Sequence, residues 1–116
     1  MMMFSQAIEG YYIHAEARQL SEYTVKDYRR TFEKFLQFQW DTPVDQVTKD
    51  GVEQFMASLN GLSKKTRLNY HTGLSALWTW MVDEELVEAH IVRQVKAPKP
   101  EVPPNARIHL RRISPE

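Results

Sequence analysis

The 116-residue sequence predicts an all-α domain, a compact bundle of about four helices. Three observations favour this fold class. Apolar residues recur at three- and four-residue intervals along most of the chain, only four glycines are present, and the long patterned segments lack the polar–apolar alternation of a half-buried strand. A chain of this size buries one modest core, so we expect a single helical domain.

The first two helices are expected to lie on either side of residue 20. The first runs from about Ser5 to about Gln19. The second has a clearer start, since Thr24 can act as N-cap with Asp27 three residues later as its capping-box partner, and it ends near Trp40. One face of this helix is apolar and should pack in the core; its residues are Val25, Tyr28, Phe32, Phe35 and Leu36.

Two more helices are expected after Pro43, which disfavours helical geometry in the residue before it. Thr48 can cap the third helix, and the Asn-Gly pair at 60–61 can end it with a positive φ. Ser63 can cap the fourth, which should run from Lys64 to about Glu85. The second half of this helix supplies the other side of the core with Leu74, Leu77, Trp78 and Met81. A short fifth helix or turn is expected over 88–95.

The charges are unevenly distributed, although 15 basic and 15 acidic residues give a net charge of zero. Between residues 61 and 82 the basic residues are Lys64, Lys65 and Arg67, and none is acidic. A basic first turn next to the free N–H groups and positive dipole end of a helix favours a polyanion. From the residues alone, contact with DNA or RNA and an ordinary solvated surface stay open in equal measure.

The sequence contains no recognisable catalytic constellation. Its four histidines lack metal-ligand spacing and its glycines are isolated, so neither a metalloprotease motif nor a phosphate loop is present. With no cysteine, disulfides and thiolate metal sites are excluded. We therefore expect no catalytic residue, no metal and no cofactor. The large aromatic residues are expected in the core rather than in a base-stacking surface: Trp40, Trp78, Trp80, Phe32, Phe35 and Phe55.

Nothing in the sequence indicates a membrane or a secretory route. No apolar run approaches the roughly 20 residues that a membrane-spanning helix needs. The first ten residues, MMMFSQAIEG, lack a basic region followed by an apolar one, so a signal peptide is not expected. The expected location is therefore the cytoplasm, with no membrane partner.

Three segments together carry a family resemblance. They are SEYTVKDYRRTFEKFLQF at 21–38, DQVTKDGVEQFMASL at 45–59, and the pattern S-x-x-T-x-x-x-Y-x-x-x-L-x-x-x-W-x-W that begins at Ser63. In this order and spacing, residues 5–104 resemble the N-terminal core-binding domain of tyrosine recombinases, the phage integrase and Xer-like family. The resemblance implies a SAM-like bundle that binds double-stranded DNA opposite a catalytic domain during DNA integration and recombination.

The resemblance also implies which residues face DNA, namely those at the starts of the second and fourth helices and in the linker. They are Thr24, Lys26, Arg30, Lys64, Lys65, Thr66, Arg67, Asn69, Tyr70, Lys96 and Lys99. Lysines and backbone N–H groups would hold phosphates, whereas Arg67 and Asn69 could reach base edges.

The same resemblance divides the chain at residue 96. Residues 1–96 would be the core-binding domain, and 97–116 a proline-rich linker followed by the start of a catalytic domain that this chain does not contain. The family's catalytic arginines, histidine-type base and nucleophilic tyrosine belong to that domain, which would be a partner, as would a recombinase oligomer on DNA. The alternative is a helical protein–protein interaction module that uses the acidic 83–88 segment. A free-standing transcription regulator is less favoured, because no compact helix-turn-helix spacing is present.

Overall fold

The computed structural model describes residues 2–96. Its elements are α1 (Phe4–Ala17), α2 (Glu22–Gln39), a 3-10 helix (Val44–Gln46), α3 (Lys49–Ser58) and α4 (Lys64–Asp83). Within these residues the sole extended pairing is an isolated bridge between Met3 and Pro43. The predicted all-α class with four α-helices is confirmed. None of the helices in 2–96 has the length and apolar character to cross a membrane.

Hydroxyl side chains cap three of the helices. Thr48 and Ser63 cap α3 and α4 as predicted. The predicted cap of α2 is wrong, because Ser21 rather than Thr24 is the N-cap, and its Oγ accepts a hydrogen bond from the Thr24 N–H at 3.1 Å. Ser21 has the extended backbone that an N-cap requires, whereas Thr24 already lies inside the helix. The helix therefore begins earlier than the sequence pattern indicated.

Two helix ends also differ from the prediction. After α3 the chain turns without a positive φ at Asn60 or Gly61, and Leu59 closes the helix at φ −94°. Instead, the residues of 2–96 with positive φ are Gln19, Trp40 and Glu85, which follow α1, α2 and α4. The helix α4 ends at Asp83, and the expected fifth element is a series of turns in which the Gln94 and Val95 N–H groups donate to the carbonyls three residues earlier.

The core lies between α1, α2 and α4, with α3 packed against α2. Both predicted stripes take part, since the α4 residues are all buried and the α2 stripe is buried at Phe32 and Phe35 and partly buried at its other positions. Trp78 is only 1% exposed, and its ring lies 6.3 Å from that of Phe35, centroid to centroid. The helices α2 and α4 cross closely at Gly73, where a Cβ would lie 3.2 Å from Thr31.

Trp40 is not a core residue, contrary to the prediction, since 80% of its surface is exposed. The reason is local: α2 ends at Gln39, and the φ of 64° at Trp40 turns the chain away from the helical path that would have continued the apolar stripe. Trp80 is partly buried and packs on Tyr11 at 5.9 Å between ring centroids.

The first residues of the chain are tied to the loop that follows α2. The Phe4 N–H donates to the Thr42 carbonyl at 2.8 Å, and the Val44 N–H donates to the Met2 carbonyl at 2.9 Å. Both the N–H and the hydroxyl of Ser5 donate to the carboxylate of Asp41, at 2.9 and 2.6 Å. The open end of the α1–α2 hairpin is thereby closed.

Candidate nucleic-acid interface

The start of α4 combines a well-formed cap with uncompensated positive charge. Ser63 Oγ accepts from the Thr66 N–H at 3.2 Å and donates to Thr66 Oγ1 at 3.0 Å. The side chains of Lys64 and Lys65 are exposed, and the first turn contains no acidic residue. Because the first N–H groups of a helix have no partner within it, this end offers donors and a positive dipole end to an anion.

The next residues of α4 differ in their exposure. Asn69 is exposed and Arg67 is partly buried. The Nε of Arg67 is buried and makes no hydrogen bond within the described part of the chain. Tyr70 is only 8% exposed, and its ring packs on Phe55 with 6.2 Å between centroids. Tyr70, which was predicted to contact DNA, is therefore a packing residue in this helix.

The start of α2 repeats the cap of α4 with a different charge pattern. Ser21 Oγ donates to Thr24 Oγ1 at 2.9 Å, and Lys26 is exposed. Here, however, Glu22 occupies the first turn, and the Arg30 guanidinium lies 3.8 Å from the Asp27 carboxylate. An exposed ion pair of this kind contributes little to stability, so Arg30 can exchange Asp27 for another anion at small cost.

The two helix starts belong to one packed unit. Close contact between Thr31 and Gly73, together with the Phe35–Trp78 ring contact, joins α2 directly to α4.

The predicted linker contacts lie after α4. Lys96, the last described residue, is exposed. It follows Val95, whose carbonyl oxygen is 2.9 Å from His71 Nε2 of α4. Lys99, the remaining predicted contact, lies outside the described residues.

A third cation of α2, Arg29, takes part in packing. Its guanidinium carbon lies 4.3 Å from the centre of the Tyr12 ring. Burial raises the pKa of Tyr12 to about 12, with Arg29 opposing the rise and the carboxylates of Glu33 and Glu9 adding to it. This phenol therefore stays protonated near neutral pH. No cluster of metal-ligating side chains occurs within 2–96.

Sequence patterns assigned no role to His71 and His90, yet both hold the segment after α4. Their partners are backbone groups and a hydroxyl 3 to 24 positions away along the chain. Such contacts leave no periodic signal, so only the folded chain reveals them.

The family model described as "Phage integrase, N-terminal SAM-like domain" matches residues 8–88. The chain therefore belongs to this family, and the predicted relation to the N-terminal domain of tyrosine recombinases is confirmed. A comparison with curated protein sequences found no match.

A solved structure shares this fold. It is described as "Crystal structure of a lambda integrase(75-356) dimer bound to a COC' core site", and it aligns with a TM-score of 0.79 at 15% sequence identity. The alignment covers 87% of this chain and 36% of the integrase chain. This chain thus spans about a third of the length of that relative.

Proposed function

We propose that this domain binds double-stranded DNA as the positioning half of a site-specific tyrosine recombinase, in DNA integration and recombination. The observation that carries the proposal is the start of α4, which is capped by Ser63 and exposes Lys64 and Lys65 with no acid in its first turn. Membership of the phage integrase family supports it. So does the solved relative, an integrase dimer bound to a core site.

Each group at the start of α4 has a separate role in the proposal. Lys64 and Lys65 hold phosphates together with the backbone N–H groups. The Thr66 hydroxyl already accepts from Ser63, so its own proton is available to a phosphate oxygen. Asn69 and Arg67 reach base edges, as amide and guanidinium groups do in major-groove recognition. Tyr70 supports this surface from beneath.

The start of α2 and the linker supply additional backbone contacts. Lys26 and Arg30 act as phosphate ligands beside Thr24, and Lys96 and Lys99 follow the DNA backbone towards the rest of the enzyme. These contacts are electrostatic, so they set register and affinity rather than base preference.

Catalysis belongs to another part of the parent protein in this proposal. That protein would break and rejoin DNA through a covalent phosphotyrosine formed by a C-terminal catalytic domain, and it would act as an oligomer on its site. The role of the present chain would be to position the enzyme on its DNA site. Because its net charge is zero, it binds DNA weakly until the catalytic domain completes the clamp.

Replacement of Lys64, Lys65 and Arg67 together by alanine tests the proposal. We expect weaker binding to a mixed-sequence duplex, with an unchanged far-UV circular dichroism spectrum. The slope of log affinity against log salt should fall by roughly one unit for each phosphate contact removed. Fluorescence anisotropy over a salt series measures both quantities.

A matched variant removes three positive charges elsewhere, at Arg18, Lys49 and Arg93, all of which are exposed. It should bind more tightly than the α4 variant at every salt concentration. If the two variants bind equally well, the start of α4 is not the DNA surface, and a protein-interaction module becomes the better interpretation.

Base recognition calls for single substitutions, Arg67→Ala and Asn69→Ala, tested on duplexes selected from a randomised pool. Each should relax preference at one position by about 1–3 kcal/mol if the side chain reads a base edge. Equal losses on all duplexes would reassign that side chain to the DNA backbone.

A further inference from the structure

The chain that follows α4 folds back onto that helix. Val92 and Val95 are 0% and 4% exposed, so the segment 90–96 is docked rather than free. His71, in the middle of α4, is hydrogen-bonded through Nε2 to the Val95 carbonyl at 2.9 Å. Since a carbonyl oxygen only accepts, His71 Nε2 is the donor.

His90 makes a second connection that uses both ring nitrogens. Its Nδ1 accepts from the N–H of Arg93 at 3.0 Å. Its Nε2 lies 3.1 Å from the Ser75 carbonyl oxygen and 3.1 Å from Thr79 Oγ1, both on α4. The carbonyl requires a proton on Nε2 and the Arg93 N–H requires none on Nδ1. These contacts therefore fix one neutral tautomer.

We propose that His90 is a pH-dependent latch: its neutral ring closes the turn at 90–93 and holds residues 90–96 on α4, and protonation at Nδ1 breaks the contact with Arg93 and so weakens this docking. A proton on Nδ1 would face the Arg93 N–H, donor against donor, so the closed arrangement does not accept it. In the charged ring Nε2 of His90 still carries its proton and keeps its bond to Ser75, just as Nε2 of His71 keeps its bond to Val95. The contact that the charged ring loses is the bond between Nδ1 and the Arg93 N–H, and His71 makes no such bond within the described residues.

The surroundings of His90 also disfavour the charged ring. Burial lowers its pKa below the ordinary value of 6.5, and the positive charges of Arg93, on the same segment, and His71, on α4, act in the same direction. The hydrogen bond to the Ser75 carbonyl opposes them. The released segment has the ordinary pKa and binds the proton more readily. Docking is therefore favoured above pH 6.5, and it weakens by up to about tenfold per pH unit as the pH falls below that value.

For DNA binding the latch determines where the chain leaves the domain. Residues 90–96 end at Lys96, so the docked segment fixes this lysine relative to α4. This consequence depends on the proposed function, whereas the latch itself does not.

Hydrogen exchange of the 116-residue chain without DNA tests the latch. The protection factor of the Arg93 amide, which corrects for the intrinsic pH dependence of exchange, should fall between pH 6.5 and 5.5 by up to about fivefold. In His90→Gln it should stay constant, because glutamine does not titrate. In the matched variant His71→Gln the fall should persist. A constant protection factor in the parent chain, or loss of the pH effect in His71→Gln alone, would overturn the proposal.

Nuclear magnetic resonance of the unaltered chain gives a second readout that needs no variant. The ¹⁵N shifts of His90 should show the Nε2–H tautomer at pH 7.5 and a titration midpoint below 6.5. The opposite tautomer, or a midpoint at or above 6.5, would refute the latch even if His90→Gln failed to fold.

The consequence for DNA is measured separately with Lys96→Ala. This substitution should weaken duplex binding at pH 7.5, and the difference from the parent chain should shrink at pH 5.5, where docking of the segment is weaker. If the parent chain fails to bind duplex while the Arg93 amide behaves as expected, the proposed function fails and the latch stands. If Lys96→Ala has the same effect at both pH values, the latch does not control this contact.

Discussion

The starts of α2 and α4 are built alike and charged differently. Ser21 and Ser63 each accept from an N–H three residues later, at 3.1 and 3.2 Å, and donate to the hydroxyl of that same threonine, at 2.9 and 3.0 Å. The residue directly after the cap is Glu22 in α2 and Lys64 in α4. The cap thus determines where a helix begins, and the adjacent charge determines what its N-terminus attracts.

The charges in the two first turns affect helix stability in opposite directions. An acid in the first turn of a helix interacts favourably with the macrodipole, and a base interacts unfavourably. The start of α2 follows that rule and the start of α4 breaks it twice, at Lys64 and Lys65. A sequence that breaks a local stability rule without a compensating contact marks a candidate functional surface. An anionic partner would provide that compensation at α4.

The largest expected effect is the loss of the packing that holds the two helix starts in one unit. Trp78→Ala should destabilise the domain by about 3–5 kcal/mol, because a buried large aromatic is replaced by a cavity. Thermal denaturation followed by circular dichroism measures the change. An unchanged melting temperature would show that the contact between α2 and α4 does not depend on this ring.

A smaller loss of stability is expected when either cap is removed, and the loss should be the same for both helices. Ser21→Ala and Ser63→Ala should each destabilise the domain by about 1 kcal/mol, since each removes an equivalent hydrogen bond to an orphan N–H. Urea denaturation of both variants provides the comparison. If the two substitutions changed the free energy of unfolding by clearly different amounts, the caps would be alike in geometry but not in energy.

The smallest effect on stability, and the sharpest contrast, comes from reversing the charge directly after each cap. Lys64→Glu should stabilise the free domain and Glu22→Lys should destabilise it, each by about 0.3–1 kcal/mol at low ionic strength. DNA affinity should move the other way for Lys64→Glu, which places a negative charge where a phosphate is proposed to bind.

Urea denaturation and anisotropy on the same two proteins separate stability from binding. If the reversals at Lys64 and Glu22 change DNA affinity by equal and opposite amounts, only net charge matters, and the distinction between the two helix starts is lost.

Much of the fold could be predicted because its determinants are local. The caps at Thr48 and Ser63 stand directly before helical periodicity, and the apolar spacing identified the buried residues of α4. Thr24 was mistaken for a cap because it is a hydroxyl residue, like Ser21, and because an acid, Asp27, stands three positions later. Only the extended backbone of Ser21 decides between them.

The exposure of Trp40, which was predicted to be a core residue, and the burial of Tyr70 have different physical causes. Burial of Trp40 depended on whether α2 continued for one more residue, which apolar periodicity does not define. The burial of Tyr70 could have been anticipated, since it lies one helical turn before Leu74 on the same stripe. The roles of His71 and His90 depend on the chain folding back onto α4 after Glu85. Neither apolar periodicity nor a sequence motif predicts that reversal of direction.

The closure between the first residues and the loop after α2 has a consequence for how the domain assembles. The Ser5–Asp41 bonds join positions 36 apart, so α1 and α2 together form a ring of chain that is complete without α3 or α4. Because the entropy of closing a loop grows only with the logarithm of its length, a few such bonds suffice to hold a ring of this size. Residues 2–5 and 41–44 are therefore joined by four hydrogen bonds, and either side can detach only when all four are exchanged for bonds to water.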